Sequence, residues 1–449
     1  MKDSVASIVL LKYIGFYKIV SRMKKYLFWL CVQFFCTSVS LAQKEKLNRI
    51  VAGFPVNYEE DSVPPYKLPD VLTLLNGQRV QNATLWTQQR RPEIVSLFAA
   101  HQFGVMPGRP TDLHFNAFEK GSPCLKGKAI RKQVTVYFTK DTNHLKMDLL
   151  IYLPAQRQPA PLLLMINFSA NAQAVDDSAV RQSAVWTKEG KLVPSSTIKA
   201  WNKIDVERFI DAGFGVATVY YGDIEPDFKT GLPYGIRAAY LKPGQNAIGQ
   251  HEWGTICAWA WGLRRAMDYF ETDPQIDAKR IAIQGTSRLG KTVLWAGAID
   301  ERFKMVIASC SGEGGAALSR RDYGENIKHM SDTSRYFYQF TPQWHEYAKN
   351  FDASPVDAHM LVSLMAPRPV LLQTGDTDFW SDPKGEFLSA VAAEPVYKLF
   401  HLKGPGNTLW PSAGDTSRLN PLGYYMHAGG HGTIPSDWPV FITFMKKYL

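Results

Sequence analysis

From about residue 131 onward, apolar residues cluster in short continuous runs, and polar or turn-forming segments separate each run from the next. A short polar segment joins the first two runs, which predicts a β-hairpin. Runs without alternating polar positions are typical of parallel strands that are buried on both faces. The predicted strands cover residues 134–138, 147–152, 162–168, 214–220, 281–283, 305–309, 370–373 and 396–400.

Helical patterns separate most of these predicted strands. A hairpin followed by alternating strands and helices predicts an α/β fold for residues 131–449, with a mixed, mostly parallel sheet between two helical layers. Functional sites in such sheets lie at the carboxyl ends of the strands. The predicted helices cover residues 200–212, 254–269, the run that begins after Ser287, 387–393 and 439–448.

Residues 43–130 differ in composition, since they are rich in proline, asparagine, glutamine and charged residues. One helix is predicted at 91–98, because Pro92 suits the first turn of a helix. We interpret this segment as an N-terminal extension that packs on the main domain.

The first 42 residues contain the pattern of a secretory signal. Met23, Lys24 and Lys25 form a charged start, residues 26–35 form an apolar core, and a small-x-small cleavage site ends at Ala42. The apolar run is too short to span a bilayer. The pattern predicts a secreted or periplasmic protein without stable membrane association, and Met23 as the true start of the chain.

Charge and cysteine content narrow the class of protein further. The formal net charge is +10, half of which lies in residues 1–42, and no basic run with interleaved aromatic residues suggests a nucleic-acid partner. Beyond the signal only Cys124, Cys257 and Cys310 remain, too few for a disulfide scaffold. The sequence has neither C-x-x-C nor H-E-x-x-H spacing, so no metal and no cofactor is predicted.

Residues 281–291 carry the clearest chemical signal. An apolar strand breaks at Gly285, Ser287 follows two residues later, and a helix-forming run begins there. This order predicts a nucleophile elbow, with the serine hydroxyl above the edge of the sheet and the helix N-terminus facing a developing oxyanion. The glycine spacing departs from the common G-x-S-x-G, because Gly290 makes it G-x-S-x-x-G.

A serine nucleophile needs a base and an acid later in the chain. His431 is the best base because it lies in the glycine-rich loop 428–432, and His427 is the alternative. The acid should follow the predicted strand at 370–373, where both Asp376 and Asp378 are suitably placed. Spacing alone leaves the two aspartates open.

Several segments together resemble the glucuronoyl esterases, a family of carbohydrate esterases with the α/β-hydrolase fold. The resemblance covers nearly all of the chain after the signal, and the most specific segment is the serine motif with its two cations, Arg288 and Lys291. It implies hydrolysis of the ester between 4-O-methyl-glucuronic acid on glucuronoxylan and lignin alcohols. The other similar segments are 220–228, 258–263, 311–315, 366–369, 380–387 and the His431 loop.

The resemblance also implies roles for individual residues. Ser287 would be the nucleophile, His431 the base, and Arg288 a stabiliser of the oxyanion. In fungal members the acid is a glutamate just before the Ser-Gly-x-Gly-Gly segment, where this chain has Cys310. The chain is similar instead to bacterial members, in which Asp378 is the matching acid. Substrate-binding roles are implied for Lys291, Glu325 and Trp380.

Two other functions are compatible with the same residues. One is a related esterase of this fold that acts on another ester, such as acetylated xylan. The other is a non-catalytic polysaccharide-binding protein, which the intact set of serine, histidine and carboxylate argues against. For the glucuronoyl esterase interpretation, a monomer is predicted, with glucuronoxylan or a lignin–carbohydrate ester as its substrate.

Overall fold

The computed structural model describes residues 50–156 and 159–449, and the chain divides into two compact units, Met1–Glu59 and Glu60–Leu449. In the first unit the described residues form a short antiparallel hairpin of Ile50–Val51 with Phe54–Pro55. The signal predicted at residues 1–42 lies outside the described residues.

The second unit is built on a nine-stranded sheet. The strands are β1 (His114–Cys124), β2 (Ala129–Tyr137), β3 (Lys146–Pro154), β4 (Ala160–Asn167), β5 (Gly215–Tyr220), β6 (Ile276–Thr286), β7 (Phe303–Ser309), β8 (Val370–Gly375) and β9 (Leu422–His427). Their spatial order in the sheet is β9-β8-β7-β6-β4-β5-β3-β2-β1.

Neighbouring strands from β4 to β9 pair in parallel, whereas β1, β2 and β3 add an antiparallel edge next to β5. The predicted hairpin is confirmed, because β2 and β3 are antiparallel neighbours. The mixed, mostly parallel sheet of an α/β-hydrolase is confirmed as well.

Helices cover both faces of this sheet. The longer ones are α1 (Arg91–Phe98), α2 (Val206–Asp211), α3 (Thr255–Phe270), α4 (Arg288–Ile299), α5 (Ala358–Ser363), α6 (Pro383–Lys398) and α7 (Asp437–Tyr448). Short helices lie at Ala83–Leu85, Asn171–Ala174, Ile327–Ser331 and Pro342–His345.

Alternate residues of β6 point into two separate cores, which explains the three layers. Ile281 and Ile283 join the larger core with α3 and α4, whereas Ala282 joins the core that contains α2 and α7. Successive side chains of a strand face opposite sides of the sheet. Both cores are apolar, and the strands therefore read as continuous apolar runs.

The segment before the sheet packs on helix α4. The ring of Phe103 stacks on that of Trp295 with centroids 4.7 Å apart, and Arg91 Nη2 donates to the Ala298 carbonyl at 2.7 Å. Residues 114–124, which the sequence assigned to the extension 43–130, form strand β1 and pair with β2. The half-exposed alternation of β1 is typical of an edge strand, and so no apolar run marked it.

Two other predictions of secondary structure are wrong. Residues 396–400, predicted as a strand, form the end of helix α6 and the turn after it, and Val396 and Tyr397 are buried there. Short apolar runs do not distinguish a strand from a buried helix. The helix predicted at 200–212 begins only at Val206, where Asp205 caps it.

Strand β9 was missed, although it lies directly before the His431 loop. Its residues are all buried, and Tyr424 and Tyr425 pair with β8. Among the helices of the described ranges, none is both long enough and apolar enough to cross a membrane.

Candidate active site

Ser287 is the single residue that joins strand β6, which ends at Thr286, to helix α4, which begins at Arg288. Its backbone has φ 62° and ψ −129°, a conformation that costs a non-glycine residue roughly 1–3 kcal/mol. The Ser287 N–H donates to the carbonyl of Ser309 at the end of β7, at 2.8 Å. The predicted strained elbow is therefore present, with the serine half-buried at the carboxyl edge of the sheet.

The unusual glycine spacing follows from how tightly α4 packs on the sheet. A Cβ on Gly285 would lie 2.3 Å from the Leu289 carbonyl oxygen. A Cβ on Gly290 would lie 2.9 Å from the Ser309 carbonyl oxygen and 3.0 Å from Cβ of Ser311. Both positions must therefore be glycine for the helix to start directly behind the serine.

His431 pairs with Asp378 at the same edge. His431 Nδ1 lies 2.7 Å from Asp378 Oδ2 and 3.1 Å from Ser381 Oγ. The carboxylate side chain is 3% exposed, whereas that of the histidine is 32% exposed. A buried acid thus orients an imidazole that solvent and ligands can reach.

Asp376 makes different contacts. Its Oδ1 accepts the Gly429 N–H at 2.8 Å, and its own N–H donates to the His427 carbonyl at 3.0 Å. These bonds tie the loop before His431 to the end of strand β8. The structure therefore brings Asp378, and not Asp376, to the predicted base.

His427, the alternative base, is buried at the end of β9 with both ring nitrogens engaged. Its Nδ1 lies 3.0 Å from Asp437 Oδ2, and its Nε2 lies 3.0 Å from the Gly430 carbonyl. Burial is the largest single effect and lowers the pKa of His427, but the hydrogen bond and charge of Asp437, together with the Gly430 carbonyl and the Asp376 charge, outweigh it and leave the pKa raised. This histidine joins α7 to the His431 loop.

Two contacts bring the elbow and the His431 loop together. Thr286 Oγ1 lies 2.9 Å from Thr433 Oγ1, so the residue before the serine meets a residue just after the histidine. The Gly432 N–H donates to Cys310 Sγ at 3.4 Å, and Cys310 directly follows β7, whose last carbonyl holds Ser287. The loop is therefore anchored on both sides of the nucleophile position.

Cys310 lies against the acid–base pair. Its Sγ, a carboxylate oxygen of Asp378 and a ring nitrogen of His431 all lie within 4.8 Å of one another. Burial, reinforced by the Asp378 charge, raises the pKa of the Cys310 thiol well above its usual value. The observed arrangement is therefore a hydrogen-bonded Asp378–His431 pair beside a buried thiol.

Arg288 opens helix α4, where a cation opposes the helix dipole. An ion pair between its Nη1 and Asp227 Oδ2 offsets this cost, and the guanidinium also lies 4.5 Å from the centre of the Tyr336 ring. Burial is the largest single effect and lowers the pKa of Arg288, but the Asp227 charge and the neighbouring tyrosines together outweigh it and raise the pKa, so the guanidinium stays charged.

Lys291 lies one turn further along α4 and is only 4% exposed. Burial lowers the pKa of its amine, while Glu325 provides the largest opposing effect. Within the described part of the chain, no carboxylate oxygen lies within 4.0 Å of its Nζ. The amine is therefore a buried cation that is held by the field of nearby acids rather than by a direct ion pair.

Glu325 and Trp380 form one wall beside these cations. The Glu325 N–H donates to the Trp380 carbonyl at 2.7 Å, which fixes the two segments side by side. Glu325 Oε1 accepts from Arg335 Nη2 at 2.9 Å. Of the residues predicted for the site, the structure thus joins Asp378 with His431 and Glu325 with Trp380 by direct contacts.

Two contacting residues carried no role in the sequence prediction. In the sequence, Asp227 stood out only as part of the similar segment 220–228. The two cations of the elbow helix, Arg288 and Lys291, were the signal that an acid should lie nearby. Arg335 lies in a polar stretch without periodicity, and no signal in the sequence marked it. Its pairing depends on a fold contact with Glu325, ten residues earlier.

A nucleophile elbow after a central parallel strand, with an acid after β8 and a histidine after β9, defines the chain as an α/β-hydrolase. Residues 247–401 match the family model described as "Glucuronyl esterase, fungi". The chain is also 42% identical over 404 residues to "Carbohydrate esterase MZ0003" from an unknown prokaryotic organism, with 88% of this chain and 92% of that protein covered.

Solved structures extend the same similarity. The glucuronoyl esterase from Solibacter usitatus is 42% identical, with a TM-score of 0.81, and the match covers 86% of this chain and 99% of that one. A promiscuous CE15 esterase from a marine bacterial metagenome is 41% identical, with a TM-score of 0.78 over 88% and 100% of the two chains. This chain belongs to the glucuronoyl esterase family of carbohydrate esterases, which are carboxylic ester hydrolases.

Proposed function

We propose that this protein is a secreted serine esterase that hydrolyses the ester between (4-O-methyl-)glucuronic acid of glucuronoxylan and lignin-type alcohols. The observation that carries the proposal is the 2.7 Å contact between His431 Nδ1 and Asp378 Oδ2, in a loop anchored to the strained Ser287 elbow. Family membership supports the glucuronoyl ester as the substrate class.

In this proposal Ser287 Oγ attacks the ester carbonyl and His431 Nε2 takes its proton. Asp378 accepts the Nδ1–H and stabilises the imidazolium. The alcohol leaves with the proton from His431, and water then hydrolyses the acyl-enzyme by the same steps. N–H groups at the start of α4 have no intrahelical partner and would donate to the oxyanion, next to the Arg288 charge.

The acid half of the ester would bind on the side of Lys291, Glu325 and Trp380. A buried ammonium and a nearly buried carboxylate can donate to and accept from the sugar hydroxyls, and an indole ring provides an apolar wall. We propose that these three residues select a uronic acid over a simple acyl group.

Replacement of the nucleophile tests the proposal. Ser287→Ala should reduce turnover of benzyl glucuronate to the background rate, because the acyl-enzyme cannot form. Initial rates of benzyl alcohol release measure this, and circular dichroism together with Tm verifies that the variant is folded. Turnover at the wild-type rate in a folded variant would contradict the proposal.

A second candidate is an esterase with broader acyl specificity, since one similar structure is described as promiscuous. The two candidates differ in the ratio of kcat/KM for methyl 4-O-methyl-glucuronate to that for acetylated xylan. A ratio far below one would favour the broader activity. Binding of glucuronoxylan without any turnover would instead favour a non-catalytic binding protein.

A further inference from the structure

Arg335 contacts each part of the wall that faces the elbow cations. Its Nη2 donates to Glu325 Oε1 at 2.9 Å. Its guanidinium carbon also lies 5.2 Å from the centre of the Trp380 ring and 5.1 Å from that of Tyr336. One planar cation thus contacts a carboxylate and two aromatic rings at the same time.

The charges around Glu325 give its contact with Arg335 a specific role. The Glu325 side chain is 9% exposed and acts on the pKa of Lys291 as the largest opposing charge. A nearly buried carboxylate between two cations can turn toward either one. Arg335 Nη2 holds Oε1 through one hydrogen bond, and a charge-assisted bond of this kind restrains the carboxylate from turning toward Lys291.

The aromatic contacts add an orientation effect. A guanidinium stacks on indole and phenol rings, and its planar fork holds one geometry better than an ammonium does. Tyr336 also lies 4.5 Å from the guanidinium of Arg288, so the same ring connects Arg335 with the first residue of the elbow helix. Arg335 is 21% exposed, so it is held within the wall rather than extended into solvent.

We propose that Arg335 is a positioning residue for uronate recognition, which holds Glu325 and Trp380 in the orientation that binds the sugar. The inference rests on the proposed function in one respect, because it assigns the sugar side to this wall. Among the described residues, Arg335 has no direct contact with those proposed for acyl transfer, and the Tyr336 ring lies between it and Arg288. Its loss should therefore affect binding more than chemistry.

The test compares Arg335→Gln and Arg335→Lys with the wild type. For benzyl glucuronate, Arg335→Gln should raise KM at least tenfold with kcat reduced no more than threefold. Arg335→Lys should recover part of the loss, since it restores the charge but not the fork. Arg280→Gln is the matched control, because Arg280 forms an ion pair with Asp277 at the opposite end of β6.

A probe without a sugar separates recognition from a general structural effect. The rate at which a small fluorophosphonate inactivates the enzyme at Ser287 should stay within twofold of wild type in Arg335→Gln. An unchanged KM would overturn the proposal. A rise in KM that is matched by an equal fall in the inactivation rate would overturn it as well, because it would indicate a general structural effect.

Binding to the Ser287→Ala protein keeps the two proposals apart. Calorimetry should show benzyl glucuronate binding at least tenfold more weakly to Ser287→Ala/Arg335→Gln than to Ser287→Ala. A wild-type protein that turns over no glucuronate ester would overturn the proposed function, and this comparison would still decide the role of Arg335. Equal affinity in the two proteins would overturn that role.

Discussion

Two aspartates that are separated by a single residue have different environments at the end of strand β8. Asp378 lies under the imidazole of His431, whereas Asp376 holds a backbone N–H of the same loop. The turn that follows Gly375 directs the two side chains to different partners. Identity and spacing left both open as the acid, and only the path of the turn distinguishes them.

We predict that Asp378→Asn lowers kcat on benzyl glucuronate by roughly 10³-fold or more, because an amide does not stabilise the imidazolium or fix its tautomer. Asp376→Asn is the matched control and should stay within about threefold of wild type. Its amide oxygen can still accept the Gly429 N–H, which is a bond worth only about 1 kcal/mol. Steady-state kinetics of both variants measure the difference, and the reverse order of effects would assign Asp376 as the acid.

At the same scale, Cys310 lies where an acid would be expected but does not have the chemistry of an acid. Its thiol lies beside Asp378 and His431, where the resemblance to fungal members would place a glutamate. Burial raises the pKa of this thiol, so it carries no negative charge to stabilise the imidazolium. In the proposed mechanism the carboxylate therefore comes from the neighbouring strand end, where Asp378 follows β8 and contacts His431.

At the scale of elements, the elbow is defined by how closely helix α4 approaches strand β7. Gly290 faces the Ser309 carbonyl, and that carbonyl accepts the Ser287 N–H. The helix and the nucleophile thus share one contact on the neighbouring strand. The irregular glycine spacing, visible in the sequence, is a consequence of this packing.

We predict that Gly290→Ala pushes α4 away from β7 and destabilises the fold by roughly 1–3 kcal/mol, as overpacking does. The elbow should shift with the helix, so kcat/KM should fall even at temperatures where the variant is folded. Gly108→Ala is the control, since a Cβ there meets no atom within 4 Å. Thermal denaturation and kinetics of the two variants test this, and equal Tm values would contradict it.

Helix α6, in contrast, is an element whose type the local sequence pattern did not predict correctly. Its last turn contains an apolar run that resembles a strand in the sequence, and Pro395 lies inside the helix. The N-terminal part of the same helix carries Glu386, which accepts the Gly312 N–H at 2.7 Å. Contacts with the sheet, rather than local pattern, decided the type of this element.

At the scale of the whole molecule, a buried acid links stability to pH. Burial raises the pKa of Glu386 to about 8, and the Asp378 charge adds to the rise, whereas the Gly312 N–H opposes it. In the unfolded chain a glutamate titrates near 4.5. Between these values the folded protein keeps a proton that the unfolded chain releases. The contribution of Glu386 to stability is therefore full below pH 4.5 and is lost as the pH rises through 8.

We predict that Glu386→Gln shows a smaller drop in Tm between pH 6 and pH 9 than the wild type does. The amide has no proton to release, and its oxygen can still accept the Gly312 N–H. Glu207→Gln is the control, because Glu207 is an exposed partner of Lys128 at 2.7 Å. Calorimetric scans across this pH range measure the effect, and identical drops in Glu386→Gln and wild type would rule out Glu386 as the source.

The sequence by itself determined the class of fold and the position of the elbow. Continuous apolar runs record burial on both faces of a parallel sheet, and a glycine–serine turn before a helix is a local property of the backbone. Both signals arise within short stretches of chain. For the same reason the resemblance to the family could be read from contiguous segments such as 285–291.

Only the tertiary structure shows that Asp378 rather than Asp376 contacts His431, that His427 is buried against Asp437, and that 396–398 end a helix rather than form a strand. It also joined Arg288 to Asp227 and Arg335 to Glu325. These outcomes depend on distances between segments that are separated along the chain, on which side of a turn a side chain leaves, and on which charges burial brings together. Hydrophobic pattern records how deeply a residue is buried, but it does not record which residue lies beside it.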